Sequence, residues 1–174
     1  MKKEPTIDPF DALSEAFETM YEHVASNLHK LKDKTAPLVH DLVEEAREKV
    51  EKIEDVTEED AEKLATWLKR DLDDAATFVS ETEYAFKDWI GFESSLVKSS
   101  FIDMMLDVAD KTTLELLRMK ENSKKPYDYH TGEITGFGTL VCEECGEELH
   151  FRKAGKIPPC PKCHHTKFHR VQIS

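Results

Sequence analysis

Cys142-Glu-Glu-Cys145 and, further on, Pro159-Cys160-Pro-Lys-Cys163 decide how this chain is read. They contain all 4 of its cysteines. Two Cys-x-x-Cys turns on facing hairpins aim four sulfurs at one point, the tetrahedral arrangement of a structural zinc site with Zn–S near ~2.3 Å. Thiolates are soft ligands and favour zinc or iron–sulfur over magnesium or calcium. Gly146 follows the first pair, where such a turn calls for positive φ. His164 holds the matching place after the second pair, and histidine enters the left-handed region at modest cost. Pro159 and Pro161 stiffen the turn around Cys160.

Other readings of the cysteines compete. Disulfides fit poorly with an N-terminus that lacks an apolar signal segment. A redox Cys-x-x-Cys calls for one pair beside a βαβ pattern, whereas here there are two pairs and no such pattern. An iron–sulfur or rubredoxin-like iron centre uses the same ligands. Four thiolates leave no open position, which argues against catalytic zinc. The expectation is one structural zinc per chain on Cys142, Cys145, Cys160 and Cys163.

Outward from the cysteines the grammar is that of short strands. Tyr127 to Gly132 reads as a turn, Ile134–Val141 as a strand interrupted by Gly136 and Gly138, Glu148–Arg152 as a second strand and Phe168–Ile173 as a third. Glycines inside a strand mark a bulge or a close backbone approach. Asn122 to Pro126 reads as a linker. The expected division is a disordered 1–9, an acidic α-helical domain over 10–121, a linker over 122–126 and a zinc ribbon over 127–174.

Upstream, apolar residues recur at helical spacing. Phe10, Leu13, Phe17, Met20, Tyr21, Val24, Leu28 and Leu31 form one stripe, and Leu38, Leu42, Ala46, Val50 and Ile53 a second. Ala61, Leu64, Ala65, Leu68, Leu72, Ala75, Ala76 and Val79 form a third, with Trp67 on its flank. Thr57-Glu-Glu-Asp60 resembles a capping box ahead of that helix. Asp71, Asp73 and Asp74 spread over different helix faces and read as solvated charge. An aromatic segment from Glu83 to Gly91 and a fourth helix from Ser94 toward Met119 complete the helical part. The fold class expected is α+β: a helical bundle or long antiparallel helices, then a small β ribbon. The helices carry their own apolar stripes and are expected to survive loss of the ribbon.

The net charge of −12 falls on residues 1–125, while residues 126–174 balance six basic against six acidic side chains. From Leu149 onward there is no acidic residue, and Arg152, Lys153, Lys156, Lys162, Lys167 and Arg170 are interleaved with Phe151 and Phe168. That is a candidate nucleic-acid surface of phosphate contacts and stacking rings, opposed by the overall negative charge. The bland alternative is that these cations solvate the ribbon or dock on the acidic helices. His23, His29 and His40 read as isolated helix histidines. His130, His150, His164, His165 and His169 are candidates for a weak second metal site, with solvated histidines the simpler reading. No apolar run reaches the ~20 residues of a membrane helix, and a cytoplasmic protein without membrane contact is expected.

The stretch Tyr129-His-Thr-Gly-Glu-Ile-Thr-Gly-Phe-Gly-Thr-Leu-Val-Cys-Glu-Glu-Cys145 resembles the ribbon entry of YbeL-like bacterial zinc-ribbon proteins. Cys160-Pro-Lys-Cys163, Trp67-Leu-Lys-Arg-Asp-Leu72 and Ala109-Asp-Lys-Thr-Thr-Leu114 extend the resemblance over most of the chain. It implies a helical N-terminal region, a C-terminal zinc ribbon and the four cysteines as ligands, and brings no activity with it. His164 departs from the glycine usual after the fourth cysteine. Three functions compete: a non-enzymatic interaction or adaptor protein with a protein partner, a nucleic-acid binder using the basic tail, and a redox- or metal-responsive switch. The first is expected, because no nucleophile–base constellation stands out; Ser99-Ser100 lies in a helical pattern without a glycine-rich elbow.

Overall fold

The helical stripes become three packed helices in the computed structural model, which describes residues 9–27, 38–53, 55–81 and 127–170. They are α1 (Pro9–Asn27), α2 (Leu38–Val50) and α3 (Glu58–Glu81). Phe17, Met20, Tyr21 and Val24 of α1 are buried with Leu42, Val43, Ala46 and Val50 of α2 and Ala61, Leu64, Leu68 and Leu72 of α3. Thr57 caps α3 by accepting the Asp60 N–H on Oγ1 at 3.1 Å. Glu58, Glu59 and Asp60 in its first turn suit the positive end of the helix dipole. Ile53 departs from its stripe and is 40% exposed, because α2 ends at Val50 and Val56 turns inward beyond it. The aromatic segment, the fourth helix and the linker expected over 83–126 lie outside the described residues.

Between α1 and α2, His23 is held from both sides. Its Nδ1 accepts from Lys49 Nζ at 2.9 Å, which leaves Nε2–H to donate to Glu45 at 3.2 Å. Glu45 and Lys49 thus reach across to α1 through His23. Glu44 joins α2 to α3, accepting from Arg47 at 2.8 Å and from Lys69 at 3.0 Å.

The C-terminal part forms β1 (Tyr129–His130), β2 (Ile134–Thr135), β3 (Gly138–Cys142), β4 (Glu148–Phe151), β5 (Gly155–Lys156) and β6 (Lys167–Arg170). One sheet has the order β1-β6-β3-β4, a second pairs β2 with β5, and every pairing is antiparallel. The single strand expected over Ile134–Val141 is therefore two strands in different sheets. The break falls where the helices press in: a Cβ on Gly136 would lie 2.7 Å from the Tyr21 ring. The close approach anticipated for this glycine is real, and its partner is α1. Tyr129, Leu140, Cys142, Ile157, Cys160 and Phe168 make the ribbon core.

The helices and the ribbon meet through buried charge. Asp71 is wholly buried. Its Oδ2 accepts from Tyr21 Oη at 3.0 Å, Thr135 Oγ1 at 2.9 Å, the Gly136 N–H at 2.7 Å and Arg170 Nη2 at 3.2 Å. Its Oδ1 accepts from Arg70 Nε at 3.3 Å. Arg70 also pairs with Glu133 and donates to the Ile134 carbonyl at 3.2 Å. Both guanidiniums lie over the Tyr129 ring, Arg70 at 4.0 Å and Arg170 at 5.0 Å from its centroid. Its hydroxyl donates to Asp74 at 2.7 Å, and Tyr127 donates to Asp73 at 2.6 Å. The three aspartates read as solvated charge are thus tied to the ribbon, Asp71 and Asp73 buried and Asp74 partly so. Burial and the adjoining Asp71 push the Tyr21 phenol well above its ordinary range, so it stays a neutral donor.

Two outcomes follow from this packing. Gly136→Ala forces the Tyr21 ring aside and costs about 1–3 kcal/mol, read from urea unfolding of the full chain. Asp74 is raised from 3.8 to about 6, because burial outweighs the relief from Arg170 and Tyr129. A carboxyl raised on folding binds its proton more tightly in the native chain. Its contribution is therefore complete below pH 3.8 and is lost as pH rises through about 6. Asp74→Asn keeps an acceptor for Tyr129, removes that pH dependence and stabilises the chain at pH 7. The gain is at most about 3 kcal/mol and smaller in practice, since the side chain is 20% exposed. Melting curves of both proteins across this pH range check it.

Candidate metal centre

β3 runs directly into Cys142, and β6 begins shortly after Cys163, so paired neighbouring strands carry the two cysteine turns. The turns are built alike. In the first, the Gly146 N–H donates to the Cys142 carbonyl at 3.0 Å and the Cys142 N–H to the Glu147 carbonyl at 2.8 Å. In the second, the His164 N–H donates to the Cys160 carbonyl at 2.9 Å and the Cys160 N–H to the His165 carbonyl at 2.9 Å. Both need a left-handed residue at the same place, supplied by Gly146 at φ 73° and His164 at φ 63°. The departure at His164 changes the residue and leaves the turn intact.

The four sulfurs all lie within 4.8 Å of one another. Cys142 and Cys163 approach to 3.5 Å, as do Cys145 and Cys160. A disulfide needs about 2.05 Å, whereas a tetrahedron with ~2.3 Å Zn–S bonds has edges of about 3.8 Å. All four cysteines are free, and the donor set fits a tetrahedral soft cation. Cys142 and Cys160 are buried; Cys145 and Cys163 are partly exposed.

Backbone dipoles support negative charge on the sulfurs. Burial raises the Cys160 thiol, but the N–H groups of Cys163 and Lys162 and the neighbouring thiols overcome it and bring it down to about 6. The His165 N–H draws Cys163 down, yet burial and the three adjoining sulfurs push it up to about 12. Four crowded thiols without a cation resist ionising together. A divalent cation removes that conflict, which is why metal binding by such a set releases protons.

The histidines do not join this cluster as ligands. Among the described residues, the four cysteines are the group of His, Cys, Asp and Glu side chains placed to share an ion. His169 contacts Glu143 at 3.0 Å, His130 lies 3.6 Å from Glu133, and His150 meets Thr139 at 2.9 Å. Of the six basic residues, Arg152, Lys153, Lys156 and Lys162 are exposed. Lys167 is half-buried and pairs with Asp128 at 3.2 Å. Arg170 is 3% exposed and committed to Asp71, Thr135 and the Phe137 carbonyl, so it is no phosphate contact. Sequence reasoning missed the Arg70–Asp71–Arg170 network. Its one signal was Asp71 standing on the apolar stripe, three residues after Leu68 and seven after Leu64.

Paired cysteine turns on an antiparallel sheet, with four sulfurs gathered at one point, define a metal-binding protein of the zinc-ribbon class. The chain belongs to the family described as a zinc-ribbon containing domain, whose sequence profile matches residues 26–172. It is similar to the uncharacterized protein YbeL of Escherichia coli K12, 33% identical over 101 residues that cover 58% of this chain and 62% of that protein. The YbeL proteins of strains O6:H1 and O157:H7 match to the same extent. The matched region thus spans less than two thirds of the length of these relatives. No solved structure matches.

The turns generate a paired prediction. Gly146→Ala meets no atom within 4 Å of the added Cβ, so its cost is backbone strain alone, about 1–2 kcal/mol. His164→Gly relieves that strain in the second turn and gains up to about 1 kcal/mol after the added chain entropy. Denaturant unfolding of the metal-loaded proteins should show these opposite signs. Loss of stability in His164→Gly would mean that the imidazole, not the backbone, matters there.

Proposed function

We propose that this is a non-enzymatic interaction or adaptor protein whose ribbon is held by one structural zinc ion per chain. The observation that carries the reading is the completeness of the sulfur set. Four thiolates from the chain fill a tetrahedral cation, leaving no position for a water or a substrate. Zinc bound in this way supplies folding free energy to a module too small to fold on its apolar core. Thiolates stay reduced in the cytoplasm, the compartment we propose. None of the described helices is long and apolar enough to cross a membrane.

The partner we propose is a protein. The exposed ribbon cations Arg152, Lys153 and Lys156 flank Ala154, whose N–H Glu18 of acidic α1 accepts, and exposed Lys162 lies in the second cysteine turn against Glu147. Such a dipolar surface orients a charged protein partner, while the net charge of −12 opposes a polyanion.

Elemental analysis of protein purified without added metal should return one zinc per chain. Sub-stoichiometric zinc with full iron occupancy would overturn the zinc assignment. Titration with random-sequence DNA and RNA at physiological salt should show dissociation constants weaker than about 1 μM, within the range of nonspecific binding. Submicromolar binding by the full chain would sink the protein-partner reading in favour of nucleic acid.

A further inference from the structure

The ribbon's metal ligands and its contact with the helices share two strands. β3 ends at Cys142, and in the β3–β6 ladder Cys142 pairs with Phe168 while Leu140 pairs with Arg170. Arg170 therefore lies two register steps from a thiolate ligand, at the far end of the strand that follows Cys163. Its guanidinium reaches Asp71 of α3 at 3.2 Å, Thr135 at 2.7 Å and the Phe137 carbonyl at 3.3 Å.

Two further features connect these ends. Cys142 and Cys160 are themselves part of the ribbon core, so that core is incomplete unless the sulfurs are gathered. On the helical side, Thr135, Gly136 and Arg170 all donate to Asp71 from the ribbon, while Tyr21 and Arg70 donate from the helices. If the ribbon loosens, a carboxylate buried in the chain loses most of its donors and must be rehydrated or withdrawn. Tyr21 also loses the Gly136 backbone packed against its ring. The same face holds Glu18, whose Oε1 accepts the Ala154 N–H at 3.1 Å.

We propose that the thiolate site controls docking of the ribbon on α1 and α3, with the Arg170–Asp71 contact as the transmitting element, so that metal loss uncovers the helical face. This rests on the tetrad binding a metal ion, and it reverses the expectation that the helices ignore loss of the ribbon. The chain then responds to metal availability: β6 without gathered sulfurs cannot hold Arg170 in register, and the surface formed by Tyr21, Arg70 and Asp71 opens to solvent. Linkage requires the reverse effect as well. Whatever weakens docking must weaken metal binding by the same factor.

The test uses the full chain. Hydrogen exchange is measured over 58–81 and 9–27 with zinc bound and after chelation. Zinc affinity is measured by competition with a chromophoric chelator for the native chain, Asp71→Ala and Tyr21→Phe. Exchange around Leu64 to Leu72 should accelerate at least about tenfold on chelation and recover with zinc. Asp71→Ala, remote from the sulfurs, should bind zinc about 5- to 50-fold more weakly, within the usual range of coupling between sites. Tyr21→Phe keeps the ring and removes one donor to Asp71, so it folds and should weaken zinc binding severalfold. Zinc uptake with unchanged helix exchange, or native affinity in Tyr21→Phe, would overturn the coupling while leaving the metal site standing. Absence of any zinc uptake would overturn both.

Discussion

A carboxylate taken out of water is tolerated only where enough donors replace its hydration, and Asp71 sets that demand on the whole molecule. Its oxygens gather a phenol from α1, a guanidinium from α3, a hydroxyl and a backbone N–H around β2, and a second guanidinium from β6. No one of these elements can move far without stranding the charge. Networks of this kind add little net stability compared with an apolar core of the same volume, because desolvation consumes most of the Coulombic gain, but breaking one partner is costly. Here the network fixes which face of the helices meets which edge of the ribbon. It also explains why the segment from Ile134 to Cys142 is split: Thr135 and Gly136 are taken by Asp71, and the chain resumes its sheet only at Gly138.

The metal centre works on a different principle. Two turns with the same internal hydrogen bonds place their sulfurs by backbone geometry, and a left-handed residue closes each one. Nothing in that construction needs the helices. The sheet that joins the turns does, since β6 carries Arg170 into the helical interface and the Tyr129 ring of β1 meets both guanidiniums. The ribbon is thus a local solution for holding a cation, mounted on strands whose other ends are held by buried charge.

Electrostatics of the basic tail change once the chain is folded. Of the six cations counted along the sequence, Arg170 is buried, Lys167 pairs with Asp128 and Lys162 lies against Glu147. A phosphate-binding face built on all of them loses its C-terminal end. What is left is a short basic rim around 152–156 beside α1, with Lys162 beyond it.

Local pattern by itself determined the gathering of the four cysteines, the two turns, the helix cap at Thr57 and the existence of α1, α2 and α3. Each depends on residues a few positions apart, so spacing carries the information: x-x between cysteines, three and four between apolar side chains. The close approach at Gly136 was legible too, because only a missing Cβ is needed to signal it, although its partner Tyr21 was not. The short strand β1 falls where the sequence reads as a turn, since two residues offer no periodicity and its identity comes from its pairing with β6. Asp71, Asp73 and Asp74 differ from their reading as solvated charge for a deeper reason, while Arg170 docks on an acidic helix, as the alternative reading of the basic tail has it. A charged side chain is placed in water by default, and that default fails only when donors distant in sequence, such as Tyr21, Thr135 and Tyr129, converge on it. Tertiary structure alone decided that convergence, because the free energy of a buried charge depends on neighbours that no local window contains.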